Sequence, residues 1–506
     1  MTIASPLPLS DTEIKALQTR FDNAGQGHVF KFFNQISEQE QVEFLNQIVN
    51  IDVENLNAIY DKAIEGAAAA ASSNDQNELQ PLSQEVFDSV LKQDPSTLKE
   101  WELTGLEKIA QGKVAVILMA GGQGTRLGSS DPKGCYNINL PSGKSLFQLQ
   151  AERILKVQEL AQQYRREQDP VETIIPWYIM TSGPTNKPTY EFFKKNNFFG
   201  LKEQNVIFFE QGVLPCLTMD GKIILESKGK VAVAPDGNGG IYKAVQDKGV
   251  IQSLKERGIE YSHCYCVDNC LARVADPVFI GYCISKGTDC GVKVVGKAAP
   301  EEPVGVVCVR NGKYGVVEYS EISDETAHER HADGSLKYGA ANIANHFFST
   351  AFLERVPSFQ AELEYHIAKK KIKYIDLETD EQISPKSNSG MKLECFVFDV
   401  FPYAQNMSVL EVDRIEEFSP LKNAPGTGAD CPETSRRDIV SQHVRFIENA
   451  GGKVVGLNEH DCEKLLFEIS PCVSYSGEGL EHIVRGKTVR APATIESLED
   501  LIRATC

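Results

Sequence analysis

Residues 114–133, VAVILMAGGQGTRLGSSDPK, hold the pattern that decides the fold of this 506-residue chain. The first six residues, Val114–Met119, form an uninterrupted apolar run rich in β-branched side chains, which is typical of a strand buried on both faces of a parallel sheet. Glycines follow at positions 121, 122, 124 and 128. Because glycine lets the main chain approach a ligand closely and exposes successive N–H groups, the segment predicts a strand that ends in a phosphate-binding turn.

Two cationic side chains follow the glycines in the same loop. Arg126 offers a bidentate guanidinium and Lys133 a compact ammonium, and both groups are common phosphate ligands. The spacing does not fit a Walker A loop, and a dinucleotide-binding GxGxxG fingerprint would need glycine where Leu127 stands. The loop therefore indicates a polyphosphate site of another type.

Further apolar runs with strand character lie downstream, and helical patterns separate several of them. The clearest helix spans residues 146–164, with Ser145 as its N-cap, and the clearest hairpin has Asn311-Gly312 at its turn, a pair suited to type I′ geometry. The other predicted strands are Ile174–Met180, Val206–Phe209, Tyr261–Val267 and Val292–Val295. This alternation predicts the α/β class, with a mixed, mostly parallel, Rossmann-like central sheet flanked by helices.

The patterns change on either side of this region. Residues 1–105 carry amphipathic helical patterns, beginning with a capping box of Ser10 and Glu13. Residues 423–437 are rich in proline, glycine and polar residues and predict a linker or mobile loop, followed by a helix over 438–449. We therefore predict three domains: a helical N-terminal domain (1–105), a central domain (106–404) and a small α+β C-terminal domain (405–506).

Composition restricts the class of function. The formal net charge is −18, so most of the surface repels nucleic acid and anionic membranes, and a phosphate site has to be a local group of cations and N–H groups. The N-terminus lacks the features of a secretory signal or a mitochondrial presequence, and no stretch approaches the roughly 20 apolar residues of a membrane helix. We expect a cytoplasmic protein that binds neither nucleic acid nor membranes.

The glycine loop resembles that of the eukaryotic UDP-N-acetylhexosamine pyrophosphorylases, whose signature is Leu-x-x-Gly-x-Gly-Thr-x-Leu-Gly-x-x-x-Pro-Lys. The chain matches every specified position except the first, where Met119 is an apolar side chain of similar volume. Further similar segments follow in order along the chain: PKGCYNINLPSGKSLFQLQAERI, FFEQGVLPC, APDGNGGIYKA, CYCVDNCLARV, GVVEYSEI, NIANHFF and EFSPLKNA. The resemblance implies a nucleotidyltransferase fold and transfer of a uridylyl group from UTP to N-acetylglucosamine 1-phosphate, with release of pyrophosphate.

The resemblance also implies which residues contact the nucleotide. Arg126 and Lys133 would bind the triphosphate, and Gln211 would read the uracil edge. Asp268 ends a predicted strand, where open α/β sheets place ligand groups, and it would help hold Mg²⁺ between the phosphates. The uridine contacts implied by the resemblance are Met119, Ala120, Gly121 and Gly122.

A second group of residues is implied for the sugar phosphate. Glu318 and Asn342 would contact the sugar hydroxyls and the N-acetyl group, with Tyr319 beside them. The remaining implied contacts are Gly237 and Asn238 for nucleotide and sugar, and Lys392 and Lys422 for phosphate, Lys422 on the sugar-phosphate side.

The residue types agree with the implied reaction. A phosphate monoester has a second pKa of about 6, so the attacking oxygen is already ionised at neutral pH and needs no general base. The barrier lies in bringing anions together and in stabilising charge on the transferred group, which is the work of cations and positioning. Arg126, Lys133 and Lys422 are therefore the predicted catalytic residues.

Several alternatives remain open from the sequence. The same chemistry could use N-acetylgalactosamine 1-phosphate or glucose 1-phosphate, because the selectivity of a pocket cannot be deduced from these motifs. A nicotinamide-dependent oxidoreductase is disfavoured by Leu127 at the last glycine position of its fingerprint. A nucleotide-sugar-binding protein without turnover is disfavoured by the intact set of cations.

Overall fold

The computed structural model describes residues 9–72, 79–457 and 466–506. The chain forms two compact units, each assembled from separate stretches of sequence. Unit 1 takes its described residues from Met1–Asp75, Gln211–Ile241 and Gln360–Asp399, and unit 2 takes them from Gln76–Glu210, Tyr242–Phe359 and Val400–Cys506. The units divide the chain at other places than the boundaries predicted at 105 and 405, and the three-domain division stays a prediction.

Helices occur in both units. They are α1 (Asp11–Asn23), α2 (Glu38–Ile48), α3 (Val53–Ser72), α4 (Pro95–Ala110), α5 (Leu146–Gln162), α6 (Gly183–Lys195), α7 (Ile241–Asp247), α8 (Val250–Glu256), α9 (Pro277–Ser285), α10 (Asp324–Ala327), α11 (Thr350–Arg355), α12 (Arg414–Glu417), α13 (Pro432–Asn449), α14 (Glu481–Val484) and α15 (Leu498–Ala504). Among the described residues, none of these helices has both the length and the apolar composition needed to cross a lipid bilayer.

Strands also occur in both units. They are β1 (Leu79–Gln80), β2 (Phe87–Ser89), β3 (Val114–Met119), β4 (Trp177–Thr181), β5 (Val206–Glu210), β6 (Val213–Pro215), β7 (Leu225–Ser227), β8 (Lys230–Val231), β9 (Val233–Pro235), β10 (Tyr261–Cys266), β11 (Cys290–Gly296), β12 (Val306–Arg310), β13 (Lys313–Val317), β14 (Ala340–Ser349), β15 (His366–Lys370), β16 (Tyr374–Ile375), β17 (Gln382–Ile383), β18 (Gly390–Glu394), β19 (Met407–Val412), β20 (Lys453–Val455), β21 (Phe467–Ile469), β22 (Thr488–Arg490) and β23 (Ala493–Ile495).

Unit 2 is built on a mixed sheet with the strand order β2-β19-β11-β14-β10-β3-β4-β5. β14 runs antiparallel to both of its neighbours, whereas β3 pairs in parallel with β10 and β4, and β11 pairs in parallel with β19. All six residues of β3 are buried, as its uninterrupted apolar run predicts. Buried residues of α4, α5 and α9 share one core with this sheet. The prediction of a mixed, mostly parallel sheet flanked by helices is confirmed.

Several boundaries lie where local sequence signals predict them. The Ser145 hydroxyl accepts a hydrogen bond from the main-chain N–H of Gln148 at 3.2 Å and caps α5. Asn311 and Gly312 join β12 to β13 with φ values of 52° and 73°, the left-handed backbone that a type I′ turn requires. One boundary was wrong: α13 begins at Pro432, not at 438, because a proline at the first helical position loses no hydrogen bond and has a suitable φ.

Unit 1 combines α1–α3 with the antiparallel strand pairs β6–β9, β7–β8, β15–β18 and β16–β17. The predicted capping box of Ser10 and Glu13 is present at the start of α1. Phe21 of α1 is fully buried and belongs to the same core as Leu217 and Met391, which exchange two main-chain hydrogen bonds of 3.0 and 2.7 Å. The N-terminal helices therefore bury their apolar faces against residues that come much later in the chain.

Candidate active site

The glycine loop that follows β3 folds back on itself. The main-chain N–H of Lys133 donates to the carbonyl oxygen of Gly122 at 3.1 Å, which joins the two arms of the loop. Between the arms, a 3₁₀ turn at Thr125–Leu127 carries the exposed side chain of Arg126. Gly128 ends this turn with a φ of 78°, a conformation that favours glycine. The loop is therefore a closed structure with a cation at its outer turn.

The first residues of the loop are buried or hydrogen-bonded to the protein, whereas Gly122 faces open space. Met119 and Ala120 are buried at 5% and 1% exposure, and the carbonyl oxygen of Gly121 accepts a hydrogen bond from the Ser182 hydroxyl at 2.7 Å. Gly122 is exposed, and a Cβ built on it would meet no atom within 4 Å. The main chain here leaves room for a nucleotide or polyphosphate to approach it closely.

Lys133 reaches the segment that carries Lys422. Its Nζ donates to the carbonyl oxygen of Leu421 at 3.2 Å, and the N–H of Leu421 donates to the carbonyl oxygen of Asp268 at 2.8 Å. Asp268 lies just beyond the carboxyl end of β10, the edge where open α/β sheets bind ligands. The structure thus brings three predicted site residues, Lys133, Asp268 and Lys422, to one edge of unit 2.

The thiol of Cys266 lies among the charges at this edge. Burial raises the pKa of the thiol well above its ordinary value, and the negative charge of Asp268 raises it further. The ammonium groups of Lys133 and Lys422 act in the opposite direction and lower the same pKa. One carboxylate and two ammonium groups therefore lie near enough to the end of β10 to act on this thiol, which agrees with the local group of cations expected inside an acidic chain.

The residues after Lys422 form a closed loop. The N–H groups of Lys422 and Asn423 both donate to the carbonyl oxygen of Asp430, at 2.8 and 2.9 Å. The side-chain amide of Asn423 donates to the carbonyl oxygen of Ala429 at 2.9 Å. These bonds fix the main chain of Lys422 while its side chain is exposed. The first part of the predicted linker is thus a hydrogen-bonded loop that presents a cation.

Two of the residues predicted to contact the sugar meet at Gly305. The N–H of Asn342 donates to the carbonyl oxygen of Gly305 at 2.9 Å, and a Cβ built on Gly305 would lie 3.3 Å from Oε1 of Glu318. Tyr319 follows Glu318 and is 52% exposed. The register of β14 against β11 shifts beside Asn342, where Ala344 has a φ of 51°. Oδ1 of Asn342 accepts a hydrogen bond from the N–H of Ala344 at 3.1 Å inside this irregularity, which holds the Asn342 side chain in place.

Other predicted contacts lie in unit 1. The side-chain amide of Gln211 donates to the carbonyl oxygen of Gly237 at 3.4 Å, and Oδ1 of Asn238 accepts from the N–H of Val397 at 3.0 Å. Gly237 has a φ of 89°, and a Cβ built on it would lie 2.3 Å from the carbonyl oxygen of Cys395. Gln211, Gly237 and Asn238 therefore form a compact group in which glycine at 237 is required.

Lys392 also lies in unit 1, at a half-buried position of β18 opposite Ala368 of β15. Burial raises the pKa of the Cys216 thiol to about 11, and the positive charge of Lys392 lowers it in part. The Lys392 ammonium is therefore close enough to act on Cys216. Its predicted contact with phosphate is not visible in the packing of this strand and stays a prediction.

The carboxylate of Asp268 is the predicted metal ligand. Among the described residues, no group of three or more His, Cys, Asp or Glu side chains is arranged to hold a metal ion. Mg²⁺ is usually bound through one or two carboxylates together with substrate phosphates and water. A single half-buried carboxylate beside two ammonium groups fits an ion that arrives with a polyphosphate.

Comparison of the chain with known proteins identifies the protein family to which it belongs. The sequence profile described as UTP--glucose-1-phosphate uridylyltransferase matches residues 53–431, which is more than half of the chain. The chain belongs to this family of nucleotidyltransferases.

Individual relatives resemble the chain along nearly its whole length. The UDP-N-acetylhexosamine pyrophosphorylase-like protein 1 of Homo sapiens is 45% identical, over 96% of this chain and 97% of that protein. The UDP-N-acetylglucosamine pyrophosphorylase of Saccharomyces cerevisiae is 41% identical, over 92% and 96%. The crystal structure of the uridine diphosphate N-acetylglucosamine pyrophosphorylase from Trypanosoma brucei, in complex with inhibitor, gives a TM-score of 0.80 at 31% identity, over 94% and 95%. The resemblance inferred from the glycine loop is confirmed.

Proposed function

We propose that this protein transfers the uridylyl group of UTP to N-acetylglucosamine 1-phosphate and releases pyrophosphate. The observation that carries the proposal is the hydrogen-bonded chain from Lys133 through Leu421 to Asp268, with Lys422 next to Leu421, at the end of β10. This arrangement concentrates positive charge beside an open glycine loop in a chain of net charge −18. Such a place suits two phosphorylated substrates better than a nicotinamide cofactor.

The reaction follows from the charges of the reactants. An oxygen of the ionised sugar phosphate attacks the α-phosphorus of UTP, the bond from that phosphorus to the bridging oxygen breaks, and pyrophosphate leaves with the electron pair. We assign binding of the triphosphate to Arg126 and Lys133, and binding of the sugar phosphate to Lys422. These cations lower the repulsion between the substrates and stabilise the charge that develops on the leaving group.

We assign the metal ligand role to Asp268, with Mg²⁺ as the ion. When bound to the phosphates, the ion neutralises part of their charge and polarises the phosphorus–oxygen bonds. The chain's contribution is one carboxylate, set at the end of β10 by the main-chain bond from Leu421.

The sugar contacts complete the proposal. Glu318 and Asn342, which meet at Gly305, would bind the sugar hydroxyls and the N-acetyl group, with Tyr319 beside them. The substrate contacts proposed for unit 1 are Gln211, Gly237, Asn238 and Lys392. N-acetylgalactosamine 1-phosphate is the second candidate sugar, because the name of one relative refers to N-acetylhexosamine, a term that includes both epimers.

The direct test is turnover with defined substrates. The protein is incubated with UTP, Mg²⁺ and one of three sugars, the 1-phosphates of N-acetylglucosamine, N-acetylgalactosamine or glucose, and pyrophosphate release and the nucleotide-sugar product are measured. We expect the highest kcat/KM with N-acetylglucosamine 1-phosphate. A preference for glucose 1-phosphate would contradict the sugar assignment, and no pyrophosphate with any of the three would contradict the proposed reaction.

A further inference from the structure

Asn269 follows Asp268 directly and is buried, with 4% of its surface exposed. Its Oδ1 accepts hydrogen bonds from the N–H groups of Leu271 at 3.2 Å and Ser419 at 3.0 Å. Its Nδ2 donates to the carbonyl oxygen of Glu417 at 2.7 Å. Ser419 and Glu417 belong to the segment that leads directly to Lys422, so one side chain ties that segment to the end of β10.

Two main-chain hydrogen bonds flank the Asn269 carboxamide and join the same two segments. The N–H of Cys270 donates to the carbonyl oxygen of Ser419 at 2.9 Å, and the N–H of Leu421 donates to that of Asp268 at 2.8 Å. Asn269 faces Pro420 in this short antiparallel pairing. Asn269 and Pro420 stand at the non-hydrogen-bonded position between these two bonds, so their main chains do not bond each other, and the carboxamide of Asn269 supplies additional bonds to the same segment.

Buried ion pairs hold Glu417, the first residue of the 417–421 segment. The buried ammonium of Lys293 contacts the carboxylates of both Asp276 and Glu417, and Arg273 lies 3.9 Å from Glu417. Lys293 has no exposed surface, so Glu417 is held inside the core of unit 2. From this fixed point the main chain runs to Lys422. Asn269 is a buried side chain that bonds the main chain of this segment, and the Ser419 hydroxyl also donates to the Asp438 carboxylate at 2.8 Å.

We propose that Asn269 is a positioning residue for the uridylyl transfer: it clamps residues 417–421 to the end of β10 and so sets the Lys422 ammonium relative to the Asp268 carboxylate. The inference rests on the function proposed above, and it assigns Asn269 no contact with substrate. A carboxamide suits the role because it both accepts and donates. Aspartate would lose the donor and bury a charge, and alanine would lose all three bonds.

A double-mutant cycle tests whether Asn269 acts through Lys422. The variants are Asn269→Ala, Lys422→Ala and the combination, with Asn205→Ala as the control. Asn205 is 8% exposed and accepts a hydrogen bond from Arg257 at 3.1 Å, but it lies just before β5, at the opposite edge of the sheet. Asn205→Ala therefore also removes a buried side-chain amide, but that amide does not contact residues 417–421.

We expect Asn269→Ala to lower kcat at least about ten-fold, while KM for UTP changes less than about three-fold and the control keeps its kcat. The double variant should be no slower than Lys422→Ala alone, because the clamp has no target once the ammonium is gone. Independent, multiplicative losses in the double variant, or an unchanged kcat in Asn269→Ala, would overturn the positioning role.

A second measurement needs no substrate. Hydrogen exchange of the Ser419 and Leu421 amides in the full-length protein should be at least about ten-fold faster in Asn269→Ala than in the wild type, and unchanged in Asn205→Ala. Equal exchange in the wild type and Asn269→Ala would overturn the clamp, even in an active enzyme. A wild-type protein that released no pyrophosphate would overturn the proposed function instead, and the exchange rates would still show whether Asn269 holds the segment.

Discussion

The ammonium group of Lys133 donates a hydrogen bond to the carbonyl oxygen of Leu421, 3.2 Å away and 288 residues later in the chain. The bond joins the glycine loop to the segment that carries Lys422. It also orients one cation beside the end of β10 while leaving other protons of the same ammonium group available for an anion. The consequences for the proposed reaction can be tested one residue at a time.

Replacing Arg126 by alanine should lower turnover at least about ten-fold, because one preorganised charge contact contributes several kcal/mol to a transition state. The side chain is exposed at the 3₁₀ turn, so the thermal midpoint should be unchanged. Pyrophosphate release is the measurement, and Lys202→Ala, which removes another exposed cation from unit 2, is the control. Wild-type turnover in Arg126→Ala would refute the assigned contact with the triphosphate.

Replacing Gly122 by alanine should separate binding from folding. The new methyl group meets no protein atom within 4 Å, so stability should be preserved, whereas it would occupy the space through which the nucleotide approaches the main chain. We expect kcat/KM for UTP to fall at least about ten-fold. Gly66→Ala is the matched control, because Gly66 is exposed in α3 and its Cβ is equally free of contacts. Equal kinetics in both variants would show that no ligand approaches Gly122.

Replacing Asp268 by asparagine should weaken the binding of Mg²⁺ that turnover requires. The neutral amide keeps the size of the side chain and removes its charge, so the Mg²⁺ concentration that gives half-maximal turnover should rise roughly ten-fold or more. Asp131→Asn, an exposed position in the glycine loop, is the control. A Mg²⁺ titration that is identical in the wild type and Asp268→Asn would remove Asp268 from the metal site.

Three buried histidines predict that the protein loses stability in mild acid. Burial lowers the pKa of His263 to about 4 and the pKa values of His346 and His443 to about 3, all below the ordinary value of 6.5. Each histidine therefore binds a proton more readily in the unfolded chain. The contribution of these neutral rings to the free energy of unfolding is complete above pH 6.5. It falls as pH decreases towards 4, by up to about 1.4 kcal/mol per pH unit for each histidine.

Denaturant unfolding between pH 7.5 and pH 4.5 measures this effect. His443 accepts a hydrogen bond from the N–H of Ile469 at 3.1 Å, so its ring is neutral, and glutamine can accept the same bond without titrating. His443→Gln should flatten the pH dependence, whereas the exposed His328, changed to glutamine as a control, should not. If the free energy of unfolding falls with pH as steeply in His443→Gln as in the wild type, the His443 ring does not cause the acid sensitivity.

Structural features that depend on residues close together in the sequence were predicted correctly. The six residues of β3 and the Asn-Gly turn were assigned correctly from the sequence, as was the Ser145 cap, because burial on both faces, left-handed backbone and side-chain capping each leave a pattern within a few positions. The start of α13 was missed, since Pro432 can both end a linker and begin a helix. Local patterns alone do not distinguish these two uses of proline.

The sequence by itself determined the strand, the glycine loop and the two cations within it, and hence the kind of ligand to expect. Tertiary structure decided which distant residues share that place: Leu421 and Lys422 beside Asp268, Glu318 and Asn342 around Gly305, and the clamp by Asn269. The reason is physical, because these neighbours are selected by the pairing of strands and the packing of a common core, whose free energy depends on contacts between residues far apart in the chain.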